Sequence, residues 1–218
     1  MSSIPSTDEL IRRGAPVELR DGSHVRLRPG RAADRDLLLR GFQRLSPKSR
    51  YLRFLVATPE LSEEMVRHLT DVDHHDHEAI IALDDATGEG LGVARFVRNV
   101  DRPDVAEVAV TVIDDWQGRG LGTLLLEVLS ARAREEGIRS FTALMLATNR
   151  DMMDLFRRLD PVQIVDRESG TVEIEVLIPA IGVAPPLREL LRLSAHTDVV
   201  VPLASRTIPA RVSRPASP

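Results

Sequence analysis

The chain has 218 residues, 43% of them hydrophobic, a net charge of −4 and no cysteine. That length fits one domain of ordinary size, and the apolar fraction is enough for a real core. Disulfides, thiolate metal sites and a cysteine nucleophile are excluded together. The acidic balance argues against general nucleic-acid binding, and no apolar run is long enough to span a bilayer.

Nothing at the N-terminus reads as a signal peptide, and a cysteine-free chain fits a reducing compartment, so a cytoplasmic location is expected. Residues 1–15 read as a loose leader. In VELRDGSHVRLRP (17–29), Asp21-Gly22 between two alternating runs predicts a hairpin. Asp34 is placed to cap a helix carrying Leu37, Leu38 and Phe42. Ser46-Pro47 opens a second short helix through Phe54, with proline in its first turn. Ser62-Glu63 opens a third, with Met65, Val66 and Leu69 on one face. DVDHHDHE (71–78) offers histidines and carboxylates, but adjacent side chains diverge and the spacing matches no established site. A solvated connector, with no metal, is expected there.

EAIIALD (78–84), GLGVARFV (90–97) and VAEVAVTVI (105–113) are short, rich in Val, Ile or Ala, and bounded by Gly, Pro or Asp. They predict an antiparallel meander. Leu121, Leu124, Leu125, Val128 and Leu129 recur at helical spacing over 121–136, and Gly137 ends that helix. A strand over 141–146, a helix over 149–159 and a hairpin over 162–178 around Ser169-Gly170 complete a domain spanning 16–179. Beyond it, 180–218 read as a Pro/Arg-rich tail containing the amphipathic run LRELLRL (187–193). Of the 29 basic residues only Lys48 is a lysine. The element order is mixed α+β, with a mostly antiparallel central sheet flanked by helices, not a repeating βαβ fold.

Three glycines crowd the segment Gln117-Gly118-Arg119-Gly120-Leu121-Gly122-Thr123, directly before the leucine-rich helix. Glycine tolerates positive φ and close approach of a ligand. A turn feeding a helix aims N–H groups outward at the positive end of the helix dipole, which suits phosphate oxygens. Arg119 can add a charge-assisted contact. The alternative is a loop that only lets the helix pack tightly on the sheet. A Walker motif is excluded because no Gly-Lys-[Ser/Thr] follows, and Gly118-x-Gly120-x-Gly122 lacks dinucleotide spacing. Upstream, Glu107 shares a strand face with Ala109 and Thr111. A carboxylate among apolar residues is costly unless its face meets water or a partner. It serves a cleft, a solvated strand end or an arginine.

The segment Gln117 to Gly122 resembles the [Gln/Arg]-x-x-Gly-x-[Gly/Ala] signature of the GNAT superfamily of acyl-CoA-dependent N-acyltransferases. It stands between a strand and a long helix, as the signature requires, and the resemblance extends over about residues 17–178. LSPKSRYLRF (45–54) and AEVAV (106–110) further resemble bacterial protein lysine acetyltransferases of the Pat type. The resemblance implies a sheet splayed at a cofactor cleft. It implies acetyl-CoA (coenzyme A) as co-substrate without a metal, and as acceptor a protein lysine or, alternatively, a small amine or amino-acid derivative. No oligomeric state is implied.

The resemblance also carries residue roles. The pyrophosphate site would comprise Gln117, Gly118, Arg119, Gly120, Leu121, Gly122 and Thr123. The pantetheine arm would pair with the strand main chain near Val112 and Ile113, and residues through Trp116 would line its approach; Trp116 is equally a packing residue. Asn149 would hydrogen-bond the arm and is also a plausible helix N-cap. Glu107, ten residues before Gln117, would be the general base. A free lysine, with a pKa of about 10.4, must lose a proton before it attacks a thioester.

One position departs from the family pattern. Phe156 stands where many members carry a tyrosine that protonates the leaving thiolate, and Tyr51 is the only tyrosine. A thiol pKa of about 8.5 makes unassisted departure tolerable, so no general acid is assigned. A non-catalytic acyl-CoA-binding module is the competing reading, favoured by Phe156 and opposed by Glu107.

Overall fold

The computed structural model describes residues 14–180. The leader up to residue 13, and the tail from residue 181 with its amphipathic run, lie outside the described residues. Eight strands form one sheet in the order β1-β2-β3-β4-β5-β6-β8-β7. They are β1 (Ala15–Glu18), β2 (His24–Pro29), β3 (His77–Asp84), β4 (Gly90–Arg98), β5 (Val105–Val112), β6 (Ser140–Leu146), β7 (Gln163–Glu168) and β8 (Thr171–Leu177). The helices are α1 (Arg35–Gln43), α2 (Pro47–Phe54), α3 (Glu63–Thr70), α4 (Leu121–Glu135) and α5 (Arg150–Arg157).

Local chemistry accounts for the boundaries. Ser46 caps α2 by accepting from the Ser49 N–H at 3.1 Å, and Ser62 caps α3 from the Met65 N–H at 3.2 Å. Ser169 (φ 48°) and Gly170 (φ 83°) both take the left-handed conformation that a two-residue hairpin needs. Asp34 does occupy the N-cap position of α1, but its side chain makes no cap bond. Its carboxylate instead grips the buried Arg28 guanidinium at 2.6 and 2.7 Å and accepts from the Arg31 N–H. A buried cation without a counter-charge costs more than an unfilled cap.

Side chains alternate across the sheet. Ile80, Ala94, Phe96, Val108 and Val110 face Leu121, Leu125, Val128 and Leu129 of α4 in one core. The opposite face, with Ile81, Val93, Ala109 and Thr111, is roofed by α1, α2 and α3. Every neighbouring pair is antiparallel except β5 and β6. That parallel pair is short: only Val105–Glu107 meet Ser140–Thr142. Beyond it β5 stays on β4 and β6 stays on β8, so the sheet opens into a gap.

The segment 71–78 differs from the expected solvated connector. His74, His77 and Glu78 are buried. Glu78 accepts from the Ala79 N–H at 2.9 Å, pairs with His74 Nδ1 at 2.8 Å, and lies 3.5 Å from Arg132 Nε. Arg132, buried near the end of α4, also contacts Glu135 at 2.6 Å and Glu136 at 2.8 Å. These charged groups lock the start of β3 to α4, which explains why so polar a run is inside. Among the described residues no three potential ligands converge on a metal position.

Candidate active site

The gap between β5 and β6 widens into a cleft of about 930 Å³, closed at one end by the glycine loop and flanked by α5. Gly118 (φ 76°) and Gly120 (φ 88°) are both left-handed, and a Cβ added to either would meet nothing within 4 Å. Glycine is therefore required here by backbone conformation, not by space. Gly120 is the N-cap of α4 and offers no side-chain cap. The leading N–H groups of the helix are left without the side-chain acceptor that most helices provide. The Arg119 guanidinium stacks over Trp116 at 4.8 Å, and Trp116 packs against the core. Trp116 thus does its packing work and holds a cation above the loop.

Main-chain direction decides which strand residues can meet a ligand. The Ile113 N–H donates to the Leu91 carbonyl at 3.0 Å, so odd-numbered residues at this end of β5 turn their amides toward β4. Val110 and Val112 consequently turn theirs into the gap. The Val112 carbonyl accepts from Gln117 Nε2 at 3.0 Å, and Val110 faces the gap where no strand lies opposite. Ile113 is buried and does not line the cleft. Leu121 likewise sends its side chain into the core, leaving only its amide at the loop. Thr123, Gly122 and Asn149 line the cleft. Asn149 Oδ1 caps α5 by accepting from the Met152 N–H at 3.2 Å, which leaves its amide nitrogen for a ligand.

Glu107 lies just outside the cleft wall, beside Val108 and Ala109, which line it. It is solvent-exposed and opposite Val97. Among the described residues no cation lies within 4.0 Å of its carboxylate. Its field nevertheless reaches Arg53 of α2 and Arg95 of β4. Burial, then the Arg53 charge, pull Arg95 down to about 9, and Glu107 opposes them. Phe156 lines the cleft as a buried ring. Tyr51 is 45% exposed and does not line it.

A polar knot that sequence reasoning missed ties α2 to the glycine loop. Asp114 accepts from the Ser46 N–H (2.9 Å), Ser46 Oγ (2.7 Å) and Ser49 Oγ (2.9 Å). Gln117 Nε2 reaches Ser49 Oγ at 3.3 Å. Burial raises the Asp114 pKa and these bonds outweigh it, so the carboxyl ends below its usual range. The available signal was the acidic Asp114-Asp115 pair directly ahead of the loop. Arg95 had a signal too: it is a charge inside a strand that is otherwise apolar up to its last residue, Arg98, the same cue that singled out Glu107.

Known proteins resemble this chain in sequence and fold. Over 176 residues, 81% of the chain, it is 34% identical to acetyltransferase Pat of Mycolicibacterium smegmatis. The chain spans 52% of that relative's length, about half. An acetyltransferase of Pseudomonas aeruginosa is 36% identical over 161 residues, covering 73% of this chain and 86% of that protein. The GNAT domain of S. lividans PAT superposes with a TM-score of 0.69 at 33% identity, over 81% of this chain and all of the other. Residues 45–160 match the acetyltransferase (GNAT) family model, and the chain, whose glycine loop and opened sheet meet at one cleft with the exposed Glu107 just beside it, belongs to the GNAT acetyltransferase family.

Proposed function

We propose that this protein is an acetyl-CoA-dependent N-acetyltransferase that moves the acetyl group directly onto an amine, a protein lysine first among acceptors. The observation that carries this reading is the meeting of three features on β5: the gap at Val110, the glycine loop beyond Val112, and the exposed Glu107. In this reading the activity is cytoplasmic.

In this reading the diphosphate rests on the N–H groups of Gly118, Gly120 and Gly122, with Gln117, Thr123 and Arg119 beside it. The pantetheine arm enters the gap, hydrogen-bonds the main chain of Val110 and Val112, and meets the Asn149 amide. Ile113, turned away, has no part beyond holding β5 to β4. The acceptor approaches from the side of α2 and α3. Glu107 removes its proton, directly or through water, because only the neutral amine has a lone pair to give. The nitrogen attacks the thioester carbon, and a main-chain N–H in the gap stabilises the developing oxyanion. Collapse breaks the carbon–sulfur bond and expels the thiolate. Phe156 has no proton to donate, so the thiolate leaves as such, and the second proton, shed by the nitrogen as the amide forms, reaches the sulfur through water.

The lysine preference is supported by the resemblance of the segments 45–54 and 106–110 to protein lysine acetyltransferases of the Pat type. A single-turnover assay with acetyl-CoA tests it on lysine peptides and free amino-acid amines. Acetyl-peptide formation at the ε-nitrogen is the expected result. Transfer confined to free amines moves the acceptor to the small-molecule class. Coenzyme binding without transfer to any acceptor identifies a non-catalytic acyl-CoA-binding module.

A further inference from the structure

On the far side of β5 from α4 lies a second cavity of about 110 Å³, between the sheet and α1–α3. Its walls are mostly apolar, yet Arg53 of α2 and Arg95 of β4 both stand in them. Arg53 also lines the larger cleft, so the two spaces meet at its side chain. Arg95 is only 6% exposed. Its Nη2 donates to the His68 carbonyl at 3.0 Å and contacts His77 Nε2. Burial, then the charges of Arg95 and His68, hold His77 down to about 3, so it is neutral near pH 7.

Neither arginine has a carboxylate within 4.0 Å among the described residues. Asp34, in the same cavity, is held by Arg28. Among the described residues, the carboxylate whose field reaches both arginines is Glu107. The cavity wall also carries Arg31, and with Asp34 held by Arg28 the half-buried Arg53 and the buried Arg95 stand against the field of Glu107 alone, so positive charge is in excess beside an apolar cavity. A buried, unbalanced charge is costly unless a ligand completes it. Guanidinium forks fit a carboxylate in two-point contact.

The geometry points to an anion subsite on the acceptor side: Arg53 and Arg95 hold a carboxylate that the acceptor carries close to its reacting amine. This deepens the acetyl-transfer reading and rests on it for the word acceptor. The carboxylate has two possible sources, the α-carboxylate of a free amino-acid amine or an acidic side chain beside a target lysine. Bound there, it satisfies both arginines, and the apolar walls hold its methylenes. Glu107, at the edge of the same field, then faces the amine.

Two measurements test the subsite. The first needs no transfer: butyrate and butyramide are titrated into the protein and followed by NMR. Butyrate is expected to bind at least about tenfold more tightly, as charge-assisted bonds require. Arg53→Gln and Arg95→Gln should each erase that preference, and Arg53→Lys should restore part of it. Equal binding of acid and amide, or a preference that survives both glutamine variants, overturns the subsite. The second compares kcat/KM for acceptors differing only in a carboxylate or its amide. One arm uses free amino acids and their amides; the other uses lysine peptides with glutamate or glutamine beside the lysine. The arm that shows the discrimination, and loses it in Arg53→Gln, identifies the source. Discrimination between succinyl-CoA and acetyl-CoA that is lost in Arg53→Gln, with none between acceptors, overturns the acceptor assignment. Butyrate discrimination without transfer to any acceptor upholds the anion subsite and overturns the transfer reading alone.

Discussion

On the α4 side of β5 the proposed coenzyme site is made of main chain: amides of a left-handed glycine loop, the open edge at Val110, a helix start without a cap. On the α1–α3 side it offers side chains from separate elements: Arg53 from α2, Arg95 from β4, Glu107 from β5 and His77 from β3. The first arrangement is local in sequence and depends on which residues permit unusual backbone. The second depends on the tertiary fold, which brings distant charges together. A main-chain site suits a constant ligand, and a side-chain site can be retuned by single substitutions.

The comparison breaks most readily at Glu107. Glu107→Gln should lower single-turnover rates by roughly 10²–10⁴-fold at neutral pH, the usual worth of a general base. Coenzyme affinity, measured by calorimetry, should be almost unchanged. Equal loss of both would move Glu107 to the coenzyme side and erase the division. On the main-chain side, Gly120→Val forces a β-branched residue into the left-handed region, at a cost of about 1–3 kcal/mol. Calorimetry should then show coenzyme affinity down by at least about tenfold. Unchanged affinity would detach the loop from the diphosphate.

Two smaller effects sharpen the boundary. Asn149→Ala removes the α5 cap, about 1 kcal/mol of stability by thermal melting, and should weaken coenzyme binding only modestly. His77 gives a pH signature to the side-chain half. Burial, then Arg95 and His68, keep it neutral down to about 3 in the folded protein, whereas it titrates near about 6.5 unfolded. Below about 6.5 the unfolded chain therefore binds a proton that the folded chain does not. Its stabilising contribution is complete above that pH and declines as the pH falls toward 3. Melting curves across this range should show the fall, and His77→Asn should flatten it.

Legibility in the sequence follows the same division. The glycine loop, the strand carboxylate and nearly every element boundary could be read, because glycine spacing, capping serines and apolar periodicity act locally. Ile113 shows where local pattern stops: which strand residues turn their amides into the gap depends on the register with β4, which no local pattern reveals. The 71–78 segment misled for a related reason. Its polarity says loop, and only the distant Arg132 explains why His74 and Glu78 are inside. Arg53 and Arg95 are far apart along the chain, and their shared cavity exists only once α2 has settled on the sheet.

The scarcity of lysine has a consequence for durability. Every ion pair found among the described residues takes its cation from arginine or histidine, and Lys48 is exposed on the first turn of α2. Reactive thioesters cap lysine amines and erase their charge, whereas a guanidinium with a pKa above about 12 has no free lone pair to attack with. The electrostatic framework of this protein is thus inert to acyl thioesters, and chemical ageing by such reagents has a single lysine to strike.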